Sequence, residues 1–225
     1  MDRGLAPGEA AAAARLLSLQ PGQRVLDLAC GYGRHVVELE RLGFQAFGAD
    51  LSPMMVERAS EFARQNGLAQ RYVRADLRAL PFWGAFDAAT SFFVSFGHLS
   101  DAGNAQVLRQ FAAVIRSGGR LFMDTWNAPR TLAELRPRIT ERREDAVITE
   151  RSRYDSGTRR VEWSNDVRFR NGRREKWKQS IRLYTAAELR ALLRRAGFAS
   201  VETLGDWDGG QWTRRSPRLI LLAQK

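Results

Sequence analysis

The ten residues Val25-Leu-Asp-Leu-Ala-Cys-Gly-Tyr-Gly-Arg34 constrain this chain more than any other stretch. Arg24–Leu28 reads as a short apolar strand. Arg34–Leu42 reads as a helix with Val36, Val37, Leu39 and Leu42 on one stripe, stopped by Gly43. Between them lie Gly31 and Gly33. A strand that turns through glycine straight into a helix lets a ligand approach the backbone closely. The helix start adds free N–H groups and a positive dipole end. Gly31-x-Gly33 alone is also found in dinucleotide-binding turns. Two details point away from a nicotinamide cofactor. The third glycine of that fingerprint would fall at Val36, and Asp27 places a carboxylate just ahead of the glycines. A diphosphate is repelled there; a ligand carrying an ammonium and a sulfonium is not.

The rest of the first 125 residues alternates in the same way. Leu5–Leu19 reads as a helix closed by Pro21-Gly22, and Gln45–Asp50 as a second strand. Ser52 caps the next helix, with Pro53 at its first position, and that helix runs to Asn66-Gly67. Arg71–Ala75, Phe86–Phe93 and Gly119–Thr125 read as further strands. A helix from Asp101 to Ile115 precedes the last of these, closed by Ser117-Gly118-Gly119. Short apolar strands separated by helices predict a parallel sheet with right-handed crossovers.

After Trp126 the pattern changes. Residues 138–182 hold 14 Lys/Arg against 8 Asp/Glu, over half of the whole chain's excess of +11. Three antiparallel strands are expected: Ala146–Asp155, Arg159–Phe169 and Arg174–Tyr184. The turns fall at Asp155–Thr158 and at Asn171-Gly172, a strong hairpin signal. Alternation puts Trp163 and Trp177 toward the core. Thr185–Gly197 is a helix with a Thr185/Glu188 capping box. Two strands, Val201–Trp207 and Arg218–Gln224, end the chain. The expected fold is α/β: a single doubly wound domain over 1–225 with an antiparallel β meander, 138–184, inserted as a lid.

Three acids fit one ligand. Asp27 ends the first strand, and Asp50 ends the second and can accept from both ribose hydroxyls. Asp76 follows the third strand, with Leu77 beside it, where an adenine amino group would sit. Phe92, Phe93 and Phe96 follow the fourth strand, close to the carboxyl edge where such a ligand lies.

These residues together resemble the motifs of class I S-adenosylmethionine-dependent methyltransferases. Val25–His35 resembles the first motif, D/E-x-G-x-G-x-G, with Ala29 in place of its first glycine. Gly48-Ala-Asp50-Leu51-Ser52 resembles the ribose motif, and Ala75-Asp76-Leu77 the adenine motif. The resemblance implies a Rossmann-like seven-stranded sheet with a reversed final β-hairpin. It implies S-adenosylmethionine as cofactor, held by Asp27, Ala29, Gly31, Gly33, Arg34, Asp50, Leu51, Asp76, Leu77 and Phe93. The insertion is similar to lids of bacterial small-molecule methyltransferases, which makes Arg182 and Tyr184 candidate substrate-side residues. His98, after the fourth strand, is a candidate general base, needed for a hydroxyl acceptor more than for an amine. His35 is expected to pack.

The partner expected is a small-molecule acceptor, through N or O. Two alternatives remain open: an RNA acceptor docked on the Arg-rich meander, and an NAD-dependent oxidoreductase. A binding module on an inactive methyltransferase fold is a further reading. Base-amine methylation usually goes with an Asn/Asp-Pro-Pro-aromatic segment after the fourth strand, and Ser91-Phe-Phe-Val-Ser95 stands there. The single cysteine, Cys30, excludes an internal disulfide and stands in the wrong place for a cytosine-C5 nucleophile. No metal is expected. No signal peptide or membrane span is read, and a cytoplasmic location is expected. An exposed meander can pair with its copy, so monomer and homodimer both stay open.

Overall fold

The structure is a computed structural model, and it describes residues 5–93 and 96–225. Seven strands form the main sheet: β1 Arg24–Leu28, β2 Gln45–Asp50, β3 Tyr72–Arg74, β4 Phe86–Ser91, β5 Ile115–Thr125, β10 Ser200–Leu204 and β11 Leu219–Gln224. Their order is β10-β11-β5-β4-β1-β2-β3. The first five run parallel, and β11 enters antiparallel between β5 and β10. The order reverses between β1 and β4, the position where ligands bind in open α/β sheets.

Helices cover both faces: α1 Ala6–Leu16, α2 Arg34–Arg41, α3 Pro53–Gln65, α4 Asp101–Val114 and α6 Ala186–Ala196. The larger core lies under α4 and α6, where Leu26, Phe86, Leu108, Phe111, Leu121 and Leu189 pack together. Leu17, Phe92, Phe122 and Ile220 fill part of the opposite face. Ser52 caps α3 through a bond from the Met55 N–H, and Thr185 and Glu188 make the full capping box.

A second sheet has four antiparallel strands, β6 Arg138–Arg142, β7 Ala146–Asp155, β8 Arg160–Phe169 and β9 Arg174–Arg182, in that order. The sequence predicted three. β6 was hidden because all five of its residues are exposed, so it has no alternation. A short helix, α5 Ala128–Glu134, also went unread. It seats Ala128 and Leu132 on Val161, Trp163 and Ile181 of the second sheet.

Two expectations are corrected. Ser117-Gly118-Gly119 does not end the strand's preceding helix as a free turn; it is an irregularity inside β5. The register shifts there, and a Cβ on Gly119 would sit 2.6 Å from the Asp87 carbonyl. Trp177 is 47 % exposed, while Trp163 is buried. Both lie on one face, but Trp177 stands opposite Asn165, farther along the sheet than Trp163, and is left uncovered.

Candidate cofactor and acceptor site

The carboxyl ends of β1, β2 and β4 meet at the glycine loop. Asp27 is 1 % exposed, and its carboxylate accepts a 2.9 Å hydrogen bond from Thr90 of β4. Burial pushes its pKa up to about 6, against the opposing pull of His35, the Thr90 bond and Arg34. Ala29, Gly31 and Gly33 all take positive φ, at 57°, 55° and 79°. Asp50 ties this loop down. One of its oxygens accepts from the Gly31 N–H and the other from Ser52 N–H, both at 2.9 Å. A carboxylate oxygen has two lone pairs, so the capacity to accept from a diol remains.

The two glycines do different things. A Cβ on Gly31 would meet nothing within 4 Å, so this backbone faces open space. A Cβ on Gly33 would meet the Tyr72 hydroxyl at 2.8 Å and Ala59 at 3.0 Å. Gly33 therefore makes room for Tyr72, not for a ligand. Gly48 does the same: a Cβ there would sit 2.6 Å from the Tyr72 ring and 2.7 Å from Cys30 Sγ. Motif reading could not separate these roles.

Leu51 is exposed just past β2, and Leu77 is half-buried against the core. Asp76 is held by Arg78 through a forked pair of bonds, which holds its carboxyl below the usual range. In this geometry Asp76 faces its own turn before it faces any ligand.

Arg34 opens α2 with its guanidinium 4.5 Å from the centre of the Phe93 ring and 3.7 Å from Glu9. Next to it His35 is buried, as expected. It lies 2.9 Å from Glu9 and stacks on Phe92 at 3.9 Å. Phe92 and Phe96 are core residues, and Phe93 alone of the three is turned out, 37 % exposed. The Phe93 N–H donates to buried Asp124, which also accepts from Arg218. Burial pushes Asp124 up to about 6, and its second oxygen has no partner among the described residues.

Beyond Phe93 lies a chamber of about 780 Å³ between the sheet edge and the second sheet. Its walls include Phe93, His98, Trp126, Arg130, Trp163 and Ile181. Trp126 is 38 % exposed and stacks on Trp163 with ring centres 5.9 Å apart. This volume suits a drug-sized ligand. His98 is exposed, on a loop that the second sheet holds. Arg160 donates to the carbonyls of Gly97, His98 and Leu99, and to Ser180. Sequence reasoning passed over Arg160, which looked like one more basic residue in a basic segment. Val94 and Ser95 of the post-β4 segment lie outside the described residues.

Arg182 and Tyr184 do not stand on the chamber wall. Both are buried. The Tyr184 hydroxyl donates to Asp101 at 2.7 Å and accepts from Asn104 at 3.0 Å, at the start of α4. Burial and the Asp101 charge push its pKa up to about 12. Arg182 pairs with Glu188 and Asp101. Their alternation in β9 and the loop after it turns them toward the helices.

The residues present fit S-adenosylmethionine. A buried carboxylate suits a cationic methionine end, open backbone lies at Gly31, and Asp50 retains acceptor capacity for a ribose. A parallel sheet with a reversed final hairpin, a glycine loop at its switch point and acids on two adjacent strand ends define a nucleoside-binding α/β fold. A family model described as a methyltransferase domain matches residues 25–119. A glycine/sarcosine N-methyltransferase of Parasynechococcus marenigrum is 36 % identical over 121 residues, covering 52 % of this chain and 43 % of that protein. A demethylmenaquinone methyltransferase of Thermus thermophilus is 39 % identical over 102 residues, covering 44 % and 45 %. The chain thus spans under half the length of these curated relatives. A solved S-adenosylmethionine-dependent methyltransferase of Clostridium acetobutylicum superposes with a TM-score of 0.85 at 16 % identity, over 100 % of this chain and 92 % of the other. Residues 25–119 thus belong to a methyltransferase domain family, and the chain as a whole has the fold of solved S-adenosylmethionine-dependent methyltransferases.

No helix among the described residues is long and apolar enough to cross a membrane.

Proposed function

We propose that this protein transfers the methyl group of S-adenosylmethionine to a nitrogen or oxygen acceptor on a small molecule held in the chamber. The observation that carries the reading is the position of Phe93. Its ring touches the Arg34 guanidinium on the glycine-loop side and also lines the chamber. The donor site and a ligand-sized cavity thus share one wall. The relatives named above, which act on glycine, sarcosine and demethylmenaquinone, support a small acceptor.

The cofactor supplies an electrophilic methyl group. Asp27 and Asp50 bind and orient it, with the backbone of Ala29–Gly33, and Leu51, Asp76 and Leu77 border the adenine side. Trp126 and Trp163 offer the acceptor a flat aromatic wall. His98 takes a proton where the acceptor is a hydroxyl. Arg182 and Tyr184 serve as positioning residues: the Arg182 N–H donates to the Gly97 carbonyl at 2.9 Å, next to His98.

The test has two stages. S-adenosylhomocysteine should raise the melting temperature, and NAD should not. The protein is then incubated with S-adenosylmethionine and a panel of small amines and alcohols, and products are searched for a one-methyl mass gain. Stabilisation by NAD alone would overturn the donor assignment.

A further inference from the structure

The two faces of the second sheet differ. The inner face carries Trp163, Gln179 and Ile181 into the chamber. Side chains alternate along a strand, so the other face is fixed by register. It carries Arg138 and Arg142 from β6, Arg151 from β7, and Lys176 and Lys178 from β9. None of these five has an ion pair among the described residues, and all are exposed. The acids of this face are already used. Glu162 binds Arg153, and Asp166 binds Arg174 and Arg168 and stands opposite Lys176, whose charge also acts on it without a close ion pair.

The cations are in rows. Arg138 stands directly opposite Arg151, and the same row continues through Ser164 to Lys178. A second row runs from Arg142 through Val147 and Arg168 to Arg174. Like charges directly opposite on adjacent strands are destabilising. Arg138 and Arg151 face each other with no acid between them among the described residues. Lys176 and Lys178, two residues apart on β9, are about 6.8 Å apart along the strand, Arg138 and Arg142 on β6 about twice that, and neighbouring strands lie about 4.8 Å apart.

We infer that this outer face docks the phosphate backbone of a nucleic acid. A ladder of unpaired cations with no exposed aromatic or large apolar side chain suits contacts that are electrostatic and blind to sequence. An anionic membrane would call for apolar side chains to insert, and a protein interface for an apolar centre, and the face offers neither. The docked strand lies on the far side of the sheet from the chamber, so docking is separate from methyl transfer and does not present a base to the donor. The inference goes beyond the small-molecule reading and does not depend on it.

The test uses the full chain, RNA of about 20 nucleotides and a duplex of the same sequence, with affinity followed against salt. Five neutralised phosphates give a slope of log affinity on log salt of about −4.5 for duplex and −3.5 for single strand. Between about 50 and 200 mM salt that is a loss of roughly 500-fold or 100-fold. The variant with Arg138, Arg142, Arg151, Lys176 and Lys178 all changed to Gln should lose the binding and the slope. Its melting shift with S-adenosylhomocysteine should stay as in the parent. If that variant does not fold, Arg151→Gln and Lys178→Gln should each lower the slope by about 0.7 to 0.9. An unchanged slope in either design overturns the inference. So does equal or tighter binding to phosphatidylserine-containing vesicles or to polyglutamate.

Discussion

Asp27 accepts a 2.9 Å hydrogen bond from Thr90 across the β1–β4 seam, with both side chains buried beside the glycine loop. That bond satisfies one oxygen of a carboxylate that burial pushes up to about 6. The folded pKa lies above the ordinary value of 3.8, so the folded state holds this proton more tightly than the unfolded chain does. Stability from this group is therefore full at low pH and is lost as pH rises from about 4 to about 6. Asp27→Asn keeps the shape and removes the charge. Its stability relative to the parent should rise over that window and level off above it, by about 3 kcal/mol. Urea unfolding of both proteins at several pH values checks this, and a difference flat across pH would refute it. The variant should also bind S-adenosylhomocysteine more weakly, having lost the anion opposite an ammonium.

Ala29 sits at φ 57°, a conformation that costs an L-residue about 1–2 kcal/mol. Ala29→Gly should recover about 1 kcal/mol after glycine's own entropy cost. For a chain of this size that is a rise of roughly 2–4 °C in melting temperature. Calorimetry showing a lower melting temperature would mean the Ala29 methyl packs usefully.

The Tyr72 hydroxyl is buried with no hydrogen-bond partner among the described residues, packed where Gly33 leaves room. A buried hydroxyl without a partner costs about 1–3 kcal/mol. Tyr72→Phe should therefore be neutral or stabilising, an unusual outcome for a half-buried tyrosine. Gly33→Ala should lose about 2 kcal/mol or more through both clash and positive φ, and the double variant should lose less than the sum of the two single changes. Additive effects of the two changes would show that the residues do not press on each other.

Arg160 makes five hydrogen bonds, three of them to the carbonyls of 97–99. Lysine has a single charged nitrogen and cannot reproduce that fork. Arg160→Lys should lower methyl-transfer kcat at least tenfold while leaving the dissociation constant of S-adenosylhomocysteine unchanged. Equal loss of both would place Arg160 in general folding instead of in support of the His98 loop.

The parallel half of the fold was legible because its signals are local. The β1–α2 glycine turn, the Ser52 cap, the Thr185/Glu188 box and the Asn171-Gly172 hairpin each depend on neighbours within a few residues. β6 and α5 were not legible. β6 has no buried face of its own, and α5 is defined by what it covers on the second sheet. Arg182 and Tyr184 show the same limit in the site. Their position at the end of the antiparallel insertion was readable, but the direction of their side chains depends on α4, some eighty residues earlier.

By itself the sequence determined the donor side: a glycine loop flanked by Asp27 and Asp50 at strand ends, and hence the cofactor. Those residues are fixed by backbone conformation and by the ends of adjacent parallel strands, which local pattern specifies. Tertiary structure decided the division of labour within that loop. Gly31 faces open space and Gly33 faces Tyr72, because β3 brings Tyr72 against it. It also decided that Phe93 joins the loop to a chamber and that Arg160 holds the His98 loop. It also set the exposed cations of the second sheet on the face away from the chamber, because pairing four strands in register separates faces that a linear charge count adds together.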